Sequence, residues 1–393
     1  MTSAPWAVAR LGVSGPLRHT LHVHRVPART ARSVPAPGVS WENRLSAGSN
    51  DVSGGASPSE ALRIGVLGAA TIAENAIVTP AKVTGARLVA VAARDRDRAQ
   101  AFAAAHGVER VLGSYAEIVN DPEVEAVYNP LPNGLHAPWN LAAIEAGKHV
   151  LSEKPFASNA EEAAEVRDAG IRGGVVVVDG FHYLYHPVTK RLHELVASGE
   201  LGEIERVEVT MTTPPPEPDN LRWSYGLAGG ALMDLGCYSL HAHRVLAPWL
   251  GGAPSLVAAR GGERAGLPGV DEWVDADFVF PSGATGLARC NMAGETLELT
   301  YRITGSRGDA IIPNFIQPHV DDRIIIRTVA GERVEHLGKR SSYTYQLDAF
   351  TAFVRDGISM PTDSNDAVVT MQLIDDVYRL IGLGPRPRSQ RVT

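Results

Sequence analysis

Short apolar runs alternate with longer amphipathic stretches from residue 62 onwards. The runs at 63–68 and 87–92 precede helical patterns over 71–83 and 95–106. Further apolar runs lie at 108–112, 124–128, 149–151 and 175–178, with helical stretches between them that include 138–146 and 159–171. Strands that alternate with helices, with almost no two-residue hairpins, are typical of a parallel sheet covered on both faces. Because such crossovers are right-handed, this half predicts a doubly wound α/β domain.

The second half shows the period of two expected for strands. After a helical pattern at 187–197, alternating runs lie at 204–212, 272–280, 284–292, 297–304, 323–328 and 333–336. Several of the turns between them contain glycine, which predicts an open, mainly antiparallel sheet in an α+β domain. One face of this sheet would be free for helices or for another subunit. Helices predicted near 230–247, 342–355 and 366–381 would cover the other face.

The patterns divide the chain into residues 1–60, 61–181, 182–383 and 384–393. Residues 1–40 contain arginines and histidines but no Asp or Glu, and 46–59 are rich in Gly, Ser and Ala. We interpret residues 1–60 as a disordered extension. A transit-peptide-like targeting segment and an upstream start codon are the alternatives. Residues 384–393 are predicted to be a flexible tail.

Composition excludes several classes of protein. Apolar residues make up 44% and charged residues 21% of the 393, which is enough for a buried core. With 37 basic and 44 acidic residues the net charge is -7, so nucleic acid is not expected as the main partner. No run of about 18 apolar residues predicts a membrane span. The two cysteines, Cys237 and Cys290, form no disulfide framework and suit a reducing cytoplasm.

The glycine turn after the first strand favours dinucleotide binding. A pyrophosphate needs a tight turn, a close backbone and a helix N-terminus aimed at its charge. The residues at this position are Gly68, Ala69, Ala70, Thr71, Ile72 and Ala73. Ala70 replaces the usual second glycine, while Ala73 is permitted at the third position. The alternative is an ordinary strand-to-helix turn in a domain that binds another ligand.

The end of the second strand favours NADP(H) over NAD(H). A carboxylate at this tip would hold a ribose 2′-hydroxyl, but Ala93 occupies it and Arg94 follows. A guanidinium can pair with a 2′-phosphate and stack on adenine. Asp95 is the counter-evidence unless it caps the following helix. Arg94 as an ordinary solvated arginine is the alternative.

A Glu-Lys-Pro turn follows the fifth apolar run. Carboxyl ends of parallel strands face the ligand crevice, so Lys154 is expected beside the cofactor. Near a nicotinamide, its ammonium would stabilise a developing alkoxide and lower the pKa of a neighbouring hydroxyl. Pro155 restricts the backbone here, and a surface turn is the alternative.

Five motifs follow one another along the chain: RIGVLGAATIA at 63–73, PLPNGLH at 130–136, EKP at 153–155, YHP at 185–187 and GGALMDLGCY at 229–238. Together, in this order, they resemble the glucose–fructose oxidoreductase / inositol dehydrogenase / rhizopine catabolism (GFO/IDH/MocA) superfamily. The resemblance is strongest to the branch that contains glucose–fructose oxidoreductase and dimeric dihydrodiol dehydrogenase. It implies a Rossmann domain, an open sheet used to form a homodimer or homotetramer, and a nicotinamide cofactor, with NADP expected and NAD the alternative.

The resemblance also implies roles for individual residues. Lys154 matches the active-site lysine, Tyr238 the residue that exchanges a proton with substrate, and Asp234 a carboxylate that shapes the substrate pocket. The cofactor-binding set comprises Gly68, Ala69, Ala70, Thr71, Ile72, Arg94, Pro130, Asn133, His136, Glu153 and Lys154. Our hypothesis is that Tyr238 is the acid/base, because Lys154 within about 4–6 Å would favour its phenolate.

Three further aromatic or imidazole side chains are candidate substrate contacts. His241 lies one helical turn beyond Tyr238, Trp223 precedes the glycine pair at 229–230, and Tyr183 follows the last strand of the first domain. For His241 and Trp223 the alternative is a place in the core. A metal site at His182 and His186 is not expected, because no cysteine joins them in a recognisable metal spacing.

These features predict an NAD(P)-dependent oxidoreductase. It would transfer hydride between nicotinamide C4 and a carbon of a sugar, polyol or dihydrodiol. A non-catalytic dinucleotide-binding sugar sensor and a cofactor-using glycosidase are the alternatives, and the presence of both Lys154 and Tyr238 argues against the sensor.

Overall fold

The structure is a computed structural model that describes residues 24–25, 61–390 and 392. Within this part of the chain the strands form a five-stranded parallel sheet and a nine-stranded mixed sheet. The predicted disordered extension, residues 1–60, falls outside the described residues except for His24–Arg25, a short strand β1.

The five-stranded sheet confirms the predicted Rossmann-like domain. Its strands are β2 (Arg63–Leu67), β3 (Arg87–Ala92), β4 (Ala126–Asn129), β5 (His149–Ser152) and β6 (Val177–Asp179). They lie in the order β3-β2-β4-β5-β6, and every neighbouring pair is parallel. Nearly all their residues are buried, because helices cover both faces. The strand order reverses between β2 and β4, which places the ligand crevice at their carboxyl ends.

Three helices of this domain begin at side-chain N-caps. The first helical segment is continuous over Thr71–Ala73, Glu74–Val78 and Thr79–Thr84, and its middle part is π-helical. The other helices are Arg96–His106, Tyr115–Asn120, His136–Glu145 and Ala160–Gly173. Asp95, Ser114 and Asn159 accept N-cap hydrogen bonds. The strand predicted at 108–112 does not form. This segment makes only an isolated bridge between Val111 and Val91 at the edge of the sheet.

The larger sheet confirms the mainly antiparallel domain. Its strands are β1, β7 (Ile204–Thr212), β8 (Ser255–Glu263), β9 (Asp271–Val279), β10 (Thr285–Asn291), β11 (Glu298–Gly305), β12 (Gly308–Ile312), β13 (Arg323–Thr328) and β14 (Gly331–His336). Only β7 and β10 pair in parallel. The sequence analysis missed β8 and β12. Both contain glycine, and β8 carries two register shifts, so neither shows a sustained apolar alternation.

Alternate residues of this sheet face a core on one side and a polar surface on the other. Val207, Val209, Val274 and Ala276 are buried, whereas their neighbours in sequence are more exposed. Helices Pro187–Ala197 and Cys237–Arg244, the latter preceded by the π-helical Leu232–Gly236, cover the buried side. The two predicted helices nearest the C-terminus form at Ser342–Asp356 and Ser364–Leu380.

The placement of one predicted helix was wrong. Tyr343, Leu347 and Phe350 of helix Ser342–Asp356 are buried in the same cluster as Ile64 and Ile77 of the first domain. This helix therefore covers the parallel sheet and not the antiparallel one, because its apolar stripe complements the helix that follows β2.

The C-terminal residues also differ from the predicted flexible tail. Arg386 is fully buried and pairs with Asp271, which is itself fully buried. Ser389 donates its amide hydrogen to Glu162, and Arg388 pairs with Glu161. The tail follows the surface of both domains because its charged side chains have partners there. Among the described residues no helix is long and apolar enough to cross a membrane.

Candidate active site

The turn after β2 has the geometry that a pyrophosphate needs. Gly68 has a φ of 97°, in the left-handed region that favours glycine. A Cβ at this position would lie 3.3 Å from Leu131. Ala70 is the N-cap of the following helix and forms no side-chain cap, and Thr71 and Ile72 are exposed. The Gly68 amide donates to the Ala92 carbonyl oxygen over 2.7 Å, so only the residues after it lie at the positive end of the helix, where phosphate oxygens bind in such turns.

Two guanidinium groups flank this turn. Arg94 is exposed two residues after the end of β3, and Arg98 donates to the carbonyl oxygen of Ala69 over 2.6 Å. The Asp95 carboxylate accepts the amide hydrogens of Asp97 and Arg98, so it is the N-cap of helix Arg96–His106. The sequence patterns did not single out Arg98, although it lies four residues after Arg94 and this spacing could have indicated a second cation near the turn.

The Glu-Lys-Pro turn follows β5 at the carboxyl edge of the sheet. Glu153 is buried, and its Oε1 accepts a hydrogen bond from the Tyr128 hydroxyl over 2.8 Å. Burial raises the pKa of Glu153, although the nearby Lys154 opposes this shift. The peptide bond between Lys154 and Pro155 is cis. Glu153 therefore points inward as a support, while Lys154 points toward the second domain.

His136 supports the two loops of the site and does not line its surface. Its Nδ1 lies 2.7 Å from the carbonyl oxygen of Pro155, and its Nε2 lies 2.6 Å from that of Leu131. The side chain is only 1% exposed. Both ring nitrogens thus lie against backbone carbonyl oxygens, in contrast to the place of His136 in the implied cofactor-binding set.

The turn after β4 joins the first domain to a loop of the second. Pro130 is buried there, and the Asn133 side-chain amide donates to the carbonyl oxygen of Ala228 over 3.1 Å. A Cβ on Gly134 would lie 2.9 Å from the backbone of Leu227. This close approach brings the two domains into contact beside the carboxyl edge of the parallel sheet.

Lys154 lies in an ionic cluster with Asp234, the carboxylate that the resemblance assigns to the substrate pocket. Its Nζ donates to the Asp234 carbonyl oxygen over 2.8 Å and lies 3.5 Å from Asp234 Oδ1. Burial alone would lower the pKa of Lys154, but the charges of Asp234 and Glu153 raise it overall. Arg222, which the sequence analysis did not single out, pairs with Asp234 Oδ2 at 3.0 Å. Burial alone would raise the pKa of Asp234, but the two cations lower it.

Tyr238 meets Lys154 although 84 positions separate them in the sequence. Lys154 Nζ lies 5.1 Å from the centroid of the Tyr238 ring, in a cation–π contact. The Tyr238 hydroxyl lies 3.0 Å from Nε2 of His182. Burial, followed by nearby Tyr343 and Glu153, raises the pKa of Tyr238 well above its usual value. The resting phenol is therefore protonated, whereas the hypothesis expected Lys154 to favour the phenolate.

Tyr183 and His241 form a buried wall behind Tyr238. The Tyr183 hydroxyl lies 2.7 Å from His241 Nδ1, and His241 Nε2 lies 3.0 Å from Asp366. Phe181 stacks on His241 at 4.1 Å and meets the Tyr238 ring edge-on at 5.4 Å. Both predicted substrate contacts are fully buried, so in this structure they hold the Tyr238 ring in place and do not reach the cleft.

Trp223 and Asp179 complete the surroundings of the site. Trp223 is buried, with the guanidinium of Arg264 3.9 Å above its ring, so its face is already covered. Asp179 ends β6, and its buried carboxyl oxygens have no hydrogen-bond partner among the described residues. Burial, with the nearby Asp366 carboxylate, raises the pKa of Asp179 well above its usual value. No group of three metal-ligating side chains occurs in the described part of the chain.

The parallel sheet, the glycine turn after β2 and the contact between Lys154 and Tyr238 are features expected of a dinucleotide-binding oxidoreductase. The model described as "Oxidoreductase family, NAD-binding Rossmann fold" matches residues 62–181, and the GFO/IDH/MocA C-terminal domain model matches residues 189–311. The chain belongs to this GFO/IDH/MocA family and is an NAD(P)-dependent oxidoreductase.

Individual relatives cover most of the chain. An uncharacterized oxidoreductase of Rhizobium meliloti is 34% identical over 81% of this chain and 96% of its own. D-xylose 1-dehydrogenase (NADP(+)) 2 of Haloferax volcanii is 34% identical, with the same coverage of both chains. The 3-ketoreductase KijD10 of Actinomadura kijaniata, solved with NADP and TDP-benzene, has a TM-score of 0.75 and 27% identity. That match covers 81% of this chain and 98% of the other.

Proposed function

We propose that this protein transfers hydride between NADP(H) and a CH–OH carbon of a sugar or sugar-like substrate. The observation that carries the proposal is the contact of Lys154 with Tyr238 at the carboxyl edge of the parallel sheet. Related proteins named for this chemistry include a D-xylose dehydrogenase and a 3-ketoreductase. The bound nicotinamide supplies or accepts the hydride at its C4 carbon.

The cofactor-binding residues of this chain fit a phosphorylated dinucleotide. Gly68 and the amides that follow it are placed to hold the pyrophosphate. Arg94 and Arg98 provide two positive charges at the end where the adenosine ribose binds in such domains. Because Asp95 is engaged as a helix cap, its carboxylate is directed at backbone amides. We therefore propose NADP(H) as the preferred cofactor and NAD(H) as the weaker one.

Tyr238 and Lys154 have different roles at the substrate oxygen. The protonated Tyr238 phenol donates a proton to the carbonyl oxygen during reduction and receives it back during oxidation. Lys154 remains charged and stabilises the negative charge that develops on the same oxygen. Asp234 holds the ammonium at the cleft through its carbonyl and carboxylate oxygens.

Two substitutions test this proposal. Lys154→Met and Tyr238→Phe are each expected to reduce kcat by about 10²-fold or more, because each removes a group that acts on the transferring proton or its charge. Cofactor affinity, measured by fluorescence titration, should change by less than about threefold. Rates are followed by absorbance of reduced cofactor with a panel of sugars, polyols and diketones.

Tyr301→Phe is the matched control for the tyrosine. Its hydroxyl is also buried and donates to the Ala242 carbonyl oxygen over 2.8 Å, away from Lys154. This control should keep the wild-type rate. Wild-type rates in Lys154→Met or Tyr238→Phe would remove the proposed role of that residue.

We also propose that two or four copies assemble through the open face of the larger sheet. That face carries cross-strand ion pairs, including Arg260 with Asp275 and Arg302 with Asp309. Light scattering in solution tests this assembly.

We also propose a cytoplasmic location, because the free, buried thiols of Cys237 and Cys290 are suited to a reducing compartment.

A further inference from the structure

A buried chain of hydrogen bonds leads away from the Tyr238 hydroxyl. The hydroxyl lies 3.0 Å from His182 Nε2, and His182 Nδ1 lies 2.8 Å from the Ser342 hydroxyl. His182 and Ser342 are both fully buried. These hydrogen bonds therefore join the Tyr238 phenol to the first residue of helix Ser342–Asp356.

The imidazole of His182 is held rigidly in this chain. It stacks on the Tyr343 ring, with 3.7 Å between ring centroids and an angle of 27°. It meets the Tyr238 ring edge-on at 5.8 Å. His182 also begins a 3-10 helix, His182–Tyr185, shortly after β6, so its backbone is anchored to the parallel sheet. This packing keeps Nε2 directed at the phenol.

Lys154 does not provide an alternative route for the Tyr238 proton. Its ammonium lies against the face of the Tyr238 ring, and its own hydrogen bond goes to the Asp234 carbonyl oxygen. An ammonium that is already protonated cannot accept another proton. His182 is the side chain within hydrogen-bond distance of the Tyr238 hydroxyl among the described residues.

We propose that His182 is a relay residue that takes up and returns the Tyr238 proton in each turnover. This inference rests on the proposed function. In oxidation, the substrate hydroxyl proton moves to the Tyr238 oxygen while the phenolic proton moves to His182 Nε2. The substrate carbon loses its hydride to the oxidised dinucleotide. After the product leaves, His182 Nε2 returns its proton to the Tyr238 oxygen while the phenolic proton passes to water that replaces the product. Reduction follows the same steps in reverse.

The neutral form of His182 is suited to this role. Burial, followed by the positive charge of Lys154, lowers the pKa of His182 well below its usual value. The imidazole is thus unprotonated at neutral pH and has a lone pair available. In the tautomer that accepts from Tyr238 at Nε2, the Nδ1 hydrogen is donated to the Ser342 hydroxyl oxygen.

Two variants interrupt the relay at different points. His182→Gln keeps a polar side chain of similar length but cannot take up a proton. Ser342→Ala removes the partner of Nδ1 without touching Tyr238. Ser239→Ala is the matched control, because its buried hydroxyl donates to the Arg289 carbonyl oxygen and takes no part in the hydrogen bonds of His182. Each variant is measured for kcat, KM, cofactor affinity, the solvent isotope effect on kcat, the pH profile and the urea midpoint of unfolding.

A relay predicts a specific pattern in these measurements. His182→Gln should lower kcat by about 10²-fold, enlarge the solvent isotope effect and shift the pH profile. Its KM and cofactor affinity should change by less than about threefold. In His182→Ala, added imidazole should restore part of the rate. Ser342→Ala should lower kcat about threefold to tenfold, and Ser239→Ala should match the wild type.

The relay and the proposed function fail in different ways. Wild-type kcat and pH profile in both His182→Gln and Ser342→Ala, with Tyr238→Phe inactive, would overturn the relay alone. A loss of kcat in His182→Gln with an unchanged isotope effect, an unchanged pH profile and no rescue by imidazole would also overturn it. Full activity of Tyr238→Phe, or no hydride transfer by the wild type, would overturn the proposed function. If His182→Gln does not fold, Ser342→Ala alone decides.

Discussion

The side chains behind Tyr238 form a continuous buried network that ends in an ion pair. Neutral His241 accepts from the Tyr183 hydroxyl at Nδ1 and donates from Nε2 to Asp366. The Asp366 carboxylate also pairs with Arg244 at 3.0 Å. Burial lowers the pKa of His241, which is consistent with the neutral form. At the scale of single residues, the position of the phenol thus depends on a charged pair that does not reach the cleft.

Asp366→Asn tests the strength of that network. Burial alone would raise the pKa of Asp366, but Arg244 and His241 lower it to about 2. A carboxylate with a lowered pKa stabilises the fold above its unfolded pKa, and this contribution is lost as the pH falls from about 4 to about 2. The substitution should cost ~3 kcal/mol at pH 7, measured by urea unfolding, and less at pH 3.

An exposed carboxylate on the same helix is the control. Asp376 is 59% exposed and pairs with Arg379 at 2.6 Å. Asp376→Asn should change the free energy of unfolding by less than about 0.5 kcal/mol. A similar small change for Asp366→Asn would contradict a stabilising role of the buried pair.

Arg94 decides between the two cofactors in our proposal. Arg94→Ser removes a charge placed for a 2′-phosphate, so the Kd for NADPH should rise about tenfold or more while the Kd for NADH changes little. Fluorescence titration of both cofactors measures this difference. Arg172→Ser, an exposed change of equal charge on another helix, should leave both values unaltered. Equal weakening of NADPH and NADH would contradict the assignment.

At the scale of elements, the ends of β5 and β6 determine where Lys154 stands. Gly180, directly after β6, lies so close to β5 that a Cβ there would be 2.8 Å from the Ser152 carbonyl oxygen and 3.2 Å from the Glu153 Cα. These contacts are with backbone atoms, which can move aside only at a high cost in free energy. The absence of a side chain at Gly180 therefore lets the two strand ends converge under the lysine.

Gly180→Ala tests this close approach. The added methyl group should displace the end of β5, lower the free energy of unfolding by ~1–3 kcal/mol and reduce turnover. Urea unfolding and a steady-state assay measure both effects. Gly226→Ala is the control, because a Cβ there would meet nothing within 4 Å. Equal behaviour of the two variants would contradict the steric explanation.

At the scale of the whole molecule, the C-terminal residues connect the sheet of the second domain to the active site. Asp271 of β9 accepts from the Leu232 amide over 2.6 Å and from the Tyr378 hydroxyl over 2.9 Å, and it pairs with Arg386. Leu232 begins the π-helical segment that carries Asp234. Arg386 of the C-terminal tail therefore neutralises the Asp271 carboxylate, which anchors the segment that begins at Leu232.

A shortened chain tests the role of the tail. Removal of residues 385–393 leaves Asp271 buried without its cation, so the free energy of unfolding should fall by ~3–5 kcal/mol. Turnover should fall as well, because the segment with Asp234 loses an anchored partner. A chain that ends at Gln390 keeps Arg386 and should behave as the full chain in urea unfolding and in the assay. Equal stability of both shortened chains would contradict this role.

The sequence by itself predicted most of the order of elements and the two sheet types, and it singled out the glycine turn after β2 and Lys154, Asp234 and Tyr238 as the candidate site. These follow from local periodicity and from ordered motifs, which depend on neighbours in the chain. The sequence did not predict strands β8 and β12, nor that 108–112 forms only a bridge at the edge of the sheet. Irregular or edge pairing leaves only a weak alternation of apolar and polar residues in the sequence.

Only the tertiary structure decided which side chains face the cleft and which support it. His136, Tyr183 and His241 became buried supports, and Arg98, Arg222 and His182 became neighbours of the site. The packing of helix Ser342–Asp356 on the parallel sheet and the burial of Arg386 were also decided there. The physical reason is that burial and charge pairing depend on groups far apart in sequence, which no local pattern records.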